Sequence, residues 1–271
     1  ELGEVIIGNE LQIPTNFGRV AAGTAKQIVV QRIKEAEKQS ISEEFQDKEG
    51  ELMVGTLSRE DQNNYFVDLG RCSGILPKDQ IIPGEKLEMG SSVKVYVSKL
   101  EIGPKGPFIM LSRSHYGFVK RLLEIEIPEL SDGTIMLYSV ARDAGSRSKI
   151  AVYTEYTNVD PIGAVIGEKG RRIANVLKEL SGEKIDVILY DKDPVKFIAN
   201  ALSPAKDVKV SIKDETKKEA LALVNDKNLS LAIGKKGQNV KLASRLTHYK
   251  IEVKPEEQEN TETTEETSVE E

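Results

Sequence analysis

The chain has 271 residues, 39% of them apolar, with a formal net charge of −6, a single cysteine and two histidines. That length exceeds what one hydrophobic core commonly fills, so two or more domains are expected; a lone Cys72 excludes an intrachain disulfide, and His115 and His248 are too few beside it for a thiolate-rich zinc site. No run is long and apolar enough to span a bilayer, Cys72 reads as a small apolar filler, and a chain starting at Glu1 without a secretory pattern reads as a fragment that begins inside a larger protein.

In chain order, residues 17–38, FGRVAAGTAKQIVVQRIKEAEK, place Ala22, Ala25, Val29, Ile33 and Ala36 at steps of three and four, which predicts an amphipathic helix packed against an upstream partner. Gly23 costs such a helix about 1 kcal/mol relative to Ala and points to close packing there. From Gly50 the period falls toward two. ELMVGTLSR, NYFVDLG, CSGILP, SVKVYVSKLEI and FIMLSRS are short β-rich runs between turn residues, and five strands in this span predict a small closed barrel of OB type.

After His115 the pattern turns helical in YGFVKRLLEIEI, then strand-like in TIMLYSVAR and SKIAVYTEY, helical in VDPIGAVIG and RRIANVLKELSG, and strand-like in KIDVILY. The order recurs in DPVKFIANAL, DVKVSIKD, EALALVND, KNLSLAIG, QNVKLASRLTH and YKIEVK. Two successive α-β-β-α-α-β units are therefore predicted, the boundary falling near Tyr190, where Asp193-Pro194 supplies a helix start. The last residues, PEEQENTETTEETSVEE (255–271), hold eight Glu and no Lys or Arg, so they are expected to be disordered. Without those eight charges the −6 becomes +2 over residues 1–254, and residues 191–254 alone carry fourteen Lys/Arg against eight Asp/Glu. A phosphate responds to that local excess, since screening reaches only about 8–10 Å.

Each unit contains a Gly-x-x-Gly between its two adjacent helices: Gly167, Glu168, Lys169 and Gly170 in the first, Gly234, Lys235, Lys236 and Gly237 in the second. A bare turn lets a ligand approach the backbone, and the following helix presents its amide end and positive dipole. KH modules use such a loop to clamp about four nucleotides of single-stranded RNA. A lone match would read as two helix ends. Here both pairs directly follow Ile, both carry Lys at the third position and both occupy the same slot of a repeat. Arg171, Arg172 and Gln238 open the following helices and join the candidate set, the second site being expected to be the stronger because Glu168 opposes a phosphate. Asp at Gly167 and Gly234 is expected to weaken RNA binding and leave the fold intact.

The series FGRVAAGTAKQIVVQRIKEAE, FVDLG…GILP, ARDAGSRSKIAVYT…VDPIGAVIGEKGRRIANVLKELSGEKIDV and NLSLAIGKKGQNVKLASRLTHYKIEV resembles the bacterial NusA family, over about residues 15–254. Within it, AGSRSKIAV…DPIGA and SGEKIDV are more specific than the glycine pairs. The resemblance implies an α+β multidomain chain. Residues 1–45 would be the end of a polymerase-binding domain and a connecting helix, 46–115 a five-stranded OB-type barrel, 116–190 and 191–254 two tandem KH domains, and 255–271 the acidic tail. It implies a cytoplasmic, monomeric RNA-binding protein that associates with RNA polymerase, the nascent transcript and other antitermination factors to modulate pausing, termination and antitermination, without membrane, metal or cofactor. Tyr65, Phe66 and Arg113 are the barrel's candidate RNA contacts. Phe66 reads equally as core, and Pro77 stands where many RNA-binding barrels have histidine. A phosphorolytic ribonuclease also joins KH and OB-type modules, but with one KH placed before the barrel, and no Walker-type motif or paired nucleophile supports an enzyme.

Overall fold

The computed structural model describes residues 17–103 and 106–256, and its first element, helix α1 (Phe17–Gln46), runs eight residues past the predicted end. The apolar face expected there finds no partner among the described residues: Val20, Val29 and Ile33 are 65%, 56% and 53% exposed, and a Cβ at Gly23 would meet open space. Near its end the helix gains a hold, where Phe45 enters the core of the following barrel. Residues 1–16, and the acidic tail from residue 257, lie outside the described residues.

Five strands follow, β1 (Leu52–Glu60), β2 (Asn64–Asp68), β3 (Ser73–Pro77), β4 (Ser92–Gly103) and β5 (Gly106–Ser112). They close in the order β1-β2-β3-β5-β4, with β3 and β5 parallel and the other pairs antiparallel. Alternation turns Leu57, Val67, Leu76, Val95, Val97, Ile109 and Leu111 inward. Cys72 packs partly against this core. Burial is the main reason that its thiol is pushed up to about 11, with Glu44 and Asp68 adding to it. At pH 8 about one thiol in a thousand is then thiolate, so alkylation of the native chain should be slow and should accelerate only as pH approaches 11. A rate at pH 8 equal to that of an unfolded thiol would contradict this packing.

The first repeat unit comprises α2 (Tyr116–Glu126), a short α3 (Pro128–Ser131) absent from the predicted pattern, β6 (Met136–Asp143), β7 (Arg147–Tyr153), α4 (Pro161–Ile166), α5 (Arg171–Glu179) and β8 (Lys184–Leu189). The second comprises α6 (Pro194–Ala201), β9 (Lys209–Asp214), β10 (Glu219–Val224), α7 (Asp226–Ile233), α8 (Gln238–Thr247) and β11 (Lys250–Pro255). Each sheet has three strands, ordered β6-β7-β8 and β11-β10-β9, with one antiparallel and one parallel pair. The predicted Asp193-Pro194 start is present, the Asp193 carboxylate accepting from the Val195 amide at 2.9 Å. Asp160 caps α4 in the same way through Ile162.

The three parts share apolar cores and so stack into a continuous array. Leu52, Ile82 and Tyr96 of the barrel join the cluster built on α2 and α5, which includes Phe118, Leu122 and Val176. Gly117 makes that approach possible, because a Cβ there would lie 2.4–2.6 Å from the Tyr96 ring. The outer face of the first sheet, through Ala141, Ala151 and Ile188, is covered by Phe197, Ile198, Leu242 and Leu246 of α6 and α8. The corresponding face of the second sheet carries ion pairs, Lys213–Glu252, Lys250–Glu219 and Lys254–Glu252, a polar ending suited to the last member of a stack.

Candidate nucleic-acid interface

The two glycine loops have the same backbone. Gly167 and Gly234 lie at φ/ψ of 74/173° and 74/172°, Lys169 and Lys236 at 52/27° and 53/27°, and Gly170 and Gly237 at 74/15° and 73/16°. Glu168, Lys169, Lys235 and Lys236 are exposed, and among the described residues no side chain caps the amide end of α5 or α8. Both turns are therefore open, each with a helix dipole aimed toward them.

The glycines serve different purposes. The first of each pair occupies a region essentially restricted to glycine, and a Cβ at Gly234 would fall 2.8 Å from the Asn239 backbone nitrogen. The second is left-handed, with open space around Gly170 and nothing nearer than 3.9 Å to a Cβ at Gly237. This corrects the expectation that Asp at Gly167 and Gly234 leaves the fold intact, since backbone strain and the clash bend the loop itself. Gly234→Ala should lower stability by about 1–3 kcal/mol, whereas Gly237→Asn should cost under about 1 kcal/mol because Asn tolerates the left-handed region. Denaturant midpoints of the two variants decide this, and equal losses would contradict it.

Arg172 and Asn239 stand five residues after the first glycines and share one task. Arg172 Nη1 donates to the Ala164 carbonyl at 2.9 Å and to Glu129, and Asn239 Nδ2 donates to the equivalent Leu231 carbonyl at 3.1 Å and to Leu202 and Ala232. Arg172 thus holds the loop, with its charge partnered by Glu129, and Asn239 is a loop-holding residue that the sequence reading missed. Aligning the two units by their glycines sets Asn239 opposite Arg172 but carries no sign of the carbonyls that both of them bond. Arg171 is exposed, with no carboxylate partner among the described residues.

Charge is sorted by face in the second unit. On the sheet side Lys209, Lys213, Lys217, Lys250 and Lys254 each have a carboxylate partner within 4 Å. Lys206, Lys227, Lys235, Lys236 and Lys241 are exposed and have no such partner among the described residues. Among the described residues most of the sheet-side lysines are thus neutralised, Lys218 in the β9–β10 turn excepted, and the five on the other elements are left for an external anion. A groove of about 710 Å³ joins the units, lined by Ile162, Val187 and Leu189 from the first and Asn200, Ala205 and Lys206 from the second. These groove residues carry no sequence signal, because tertiary packing alone brings them together.

Two candidates are corrected. Arg113 is not available to RNA. Its side chain is 3% exposed and pairs with Glu85 at 2.5 Å and Glu179 at 3.1 Å, joining barrel to first unit. Gln238 is spent on a contact between units, its amide donating to Asp143 Oδ2 at 2.5 Å and Ser146 Oγ at 2.7 Å. In the barrel, Tyr65 packs against the core, whereas Phe66 is half-buried outside the core cluster, with the Arg59 guanidinium 3.9 Å from its ring centroid. Strand register extends this into a belt of Arg59, Phe66, Ile75, Met110 and Lys99 across the barrel.

Among the described residues no helix is long and apolar enough to cross a membrane, and no group of three or more His, Cys, Asp or Glu could hold a metal ion. Comparison with known proteins matches residues 113–190 to the NusA-like first KH domain, 194–261 to the NusA-like second KH domain and 1–39 to the NusA N-terminal domain. The transcription termination/antitermination protein NusA of Bacillus subtilis is 47% identical over 256 residues, covering 93% of this chain and 69% of that protein. Its counterpart from Halalkalibacterium halodurans is 49% identical over 243 residues (90% and 63%), and that from Thermus thermophilus 45% over 252 residues (92% and 65%). The chain thus spans about two thirds of the length of these relatives.

Proposed function

Because the chain belongs to the NusA family of transcription termination/antitermination proteins, we propose that it binds single-stranded RNA along its two KH units and so modulates transcriptional pausing, termination and antitermination. The observation that carries this is the pair of open glycine loops with matching backbones, the second flanked by exposed lysines without carboxylate partners among the described residues. An extended strand would lay its sugar-phosphate backbone over each loop and its bases along the adjoining apolar groove. Chemistry on the RNA is not part of this activity; the relatives described above are named as transcription proteins and not as enzymes.

In this reading the RNA is the nascent transcript and the chain acts as a monomer in the cytoplasm. Residues 1–45 belong to the part that contacts RNA polymerase, 46–115 to the barrel, 116–190 and 191–254 to the KH units, and other antitermination factors act with it. The barrel belt supports a secondary contact, since Phe66 under Arg59 offers a ring and a cation on one outward surface. Photocrosslinking of a uridine-rich single-stranded RNA to the full chain tests the proposal. Crosslinks are expected at residues 167–171 and 234–237 and along the Ile162–Lys206 groove. Crosslinks confined to the sheet face of the second unit would overturn it.

A further inference from the structure

The stretches ARDAGSRSKIAV (141–152) and SGEKIDV (181–187) contain no residue of either glycine loop, yet they supply Arg142, Ser148, Lys149 and Glu183, four of the eight buried polar residues described. Lys149 reaches across to the second unit, whereas Arg142, Ser148 and Glu183 bond within the first unit or back to residues 113–115. The fully buried Lys149 ammonium donates to the Ser203 carbonyl of the second unit at 2.7 Å and to Asp186 Oδ2 at 3.2 Å, and Asp186 is gripped by Arg147 at 2.6 and 2.8 Å. Ser203 also borders the groove between the units. At the opposite end Gln238, the first residue after Gly237, is held by Asp143 and Ser146. The turn carrying those two residues is itself fixed, because Glu183 accepts from the Gly145 amide, from Ser148 and from Arg142.

Apolar contacts between α6, α8 and the first sheet hold the units together but permit sliding, since dispersion has little directionality. The two polar attachments remove that freedom, one beside the groove and one beside the loop. We propose that Lys149 and Gln238 are positioning residues that fix the second glycine loop relative to the first unit, so that one strand meets both glycine loops already in register; this rests on the RNA-binding reading above. A strand held at one loop then meets the other at high effective concentration.

The test uses the full chain and two variants, Lys149→Met, which keeps the apolar stem, and Gln238→Ala, which removes no core atom. Without RNA, pulsed electron-spin distances are measured between labels on Lys169→Cys and Lys236→Cys in a Cys72→Ser background. The parent should give one narrow distribution and each variant a broader one. On unlabelled chains, affinity is compared for single-stranded RNAs of about four and about twelve nucleotides, about one and three loop-lengths. The parent should gain at least about tenfold with length through linked binding, and the variants should lose most of that gain with the short-RNA affinity unchanged. Narrow distributions in both folded variants, or an undiminished gain with length, would overturn the proposal. Broadened variants beside a parent that binds neither RNA would overturn the RNA reading and leave the attachment between units standing.

Discussion

Lys235→Asp with Lys236→Asp should lower affinity for single-stranded RNA by about 10- to 100-fold, each lost charged contact to phosphate being worth about 1.5–3 kcal/mol before water and flexibility reduce it. The variant should remain folded. Lys236 sits at φ 53°, ψ 27°, a conformation that Asp adopts more readily than Lys, and acidic side chains before α8 favour its dipole. A loss of binding therefore reports the missing cations. Salt adds a second readout, because each phosphate contact to a single strand contributes about 0.7 to the slope of log K against log salt, so two fewer contacts should flatten it by about 1.4. The same change at Lys169 should matter less, since Glu168 already offsets the first loop. Filter binding or fluorescence anisotropy at several salt concentrations measures both quantities, and an unchanged affinity with an unchanged slope would remove the second loop from the site.

Glu183→Ala should destabilise the folded chain by about 3–5 kcal/mol, the usual cost of leaving a buried charge without its partner. Glu183 and Arg142 have side chains 0% and 2% exposed, with Arg142 Nε and Nη2 donating to the carboxylate at 2.9–3.2 Å. The same carboxylate accepts from Ser148 Oγ at 2.5 Å and the Gly145 amide at 3.1 Å. Removing it strands the guanidinium, which keeps only the Arg113 and His115 carbonyls through Nη1. At about 2–4 °C per kcal/mol for a body of this size, the midpoint should fall by roughly 6–20 °C. Because the apolar clusters run from barrel to first unit and from first unit to second, the loss should appear in one cooperative transition. A fall below about 1 kcal/mol by calorimetry or denaturant titration would show that water reaches the pair.

The pattern of elements was legible because each rests on local rules. Alternation placed the five barrel strands, Asp193-Pro194 placed α6, and the repeated Ile-Gly-x-Lys-Gly placed two loops whose dihedrals agree within a few degrees. The short α3 escaped because PELS is too brief to show a period. By type and position alone, Arg113, Arg172 and Gln238 look like partners for RNA. Their carboxylate or carbonyl partners come from residues far along the chain, Glu85 and Glu179, Glu129, and Asp143.

The kind of units present, their order and the bare, lysine-bearing turns follow from local sequence, since backbone preference and hydrophobic period act over a few neighbouring residues. Only the tertiary structure decided which cations are free. A lysine's availability depends on which carboxylate lies within a few ångströms, and the pairings Lys213–Glu252 and Lys250–Glu219 form only when distant strands meet. The same holds for the groove and for Lys149, whose burial and hold on Ser203 come from the packing of one unit on the next.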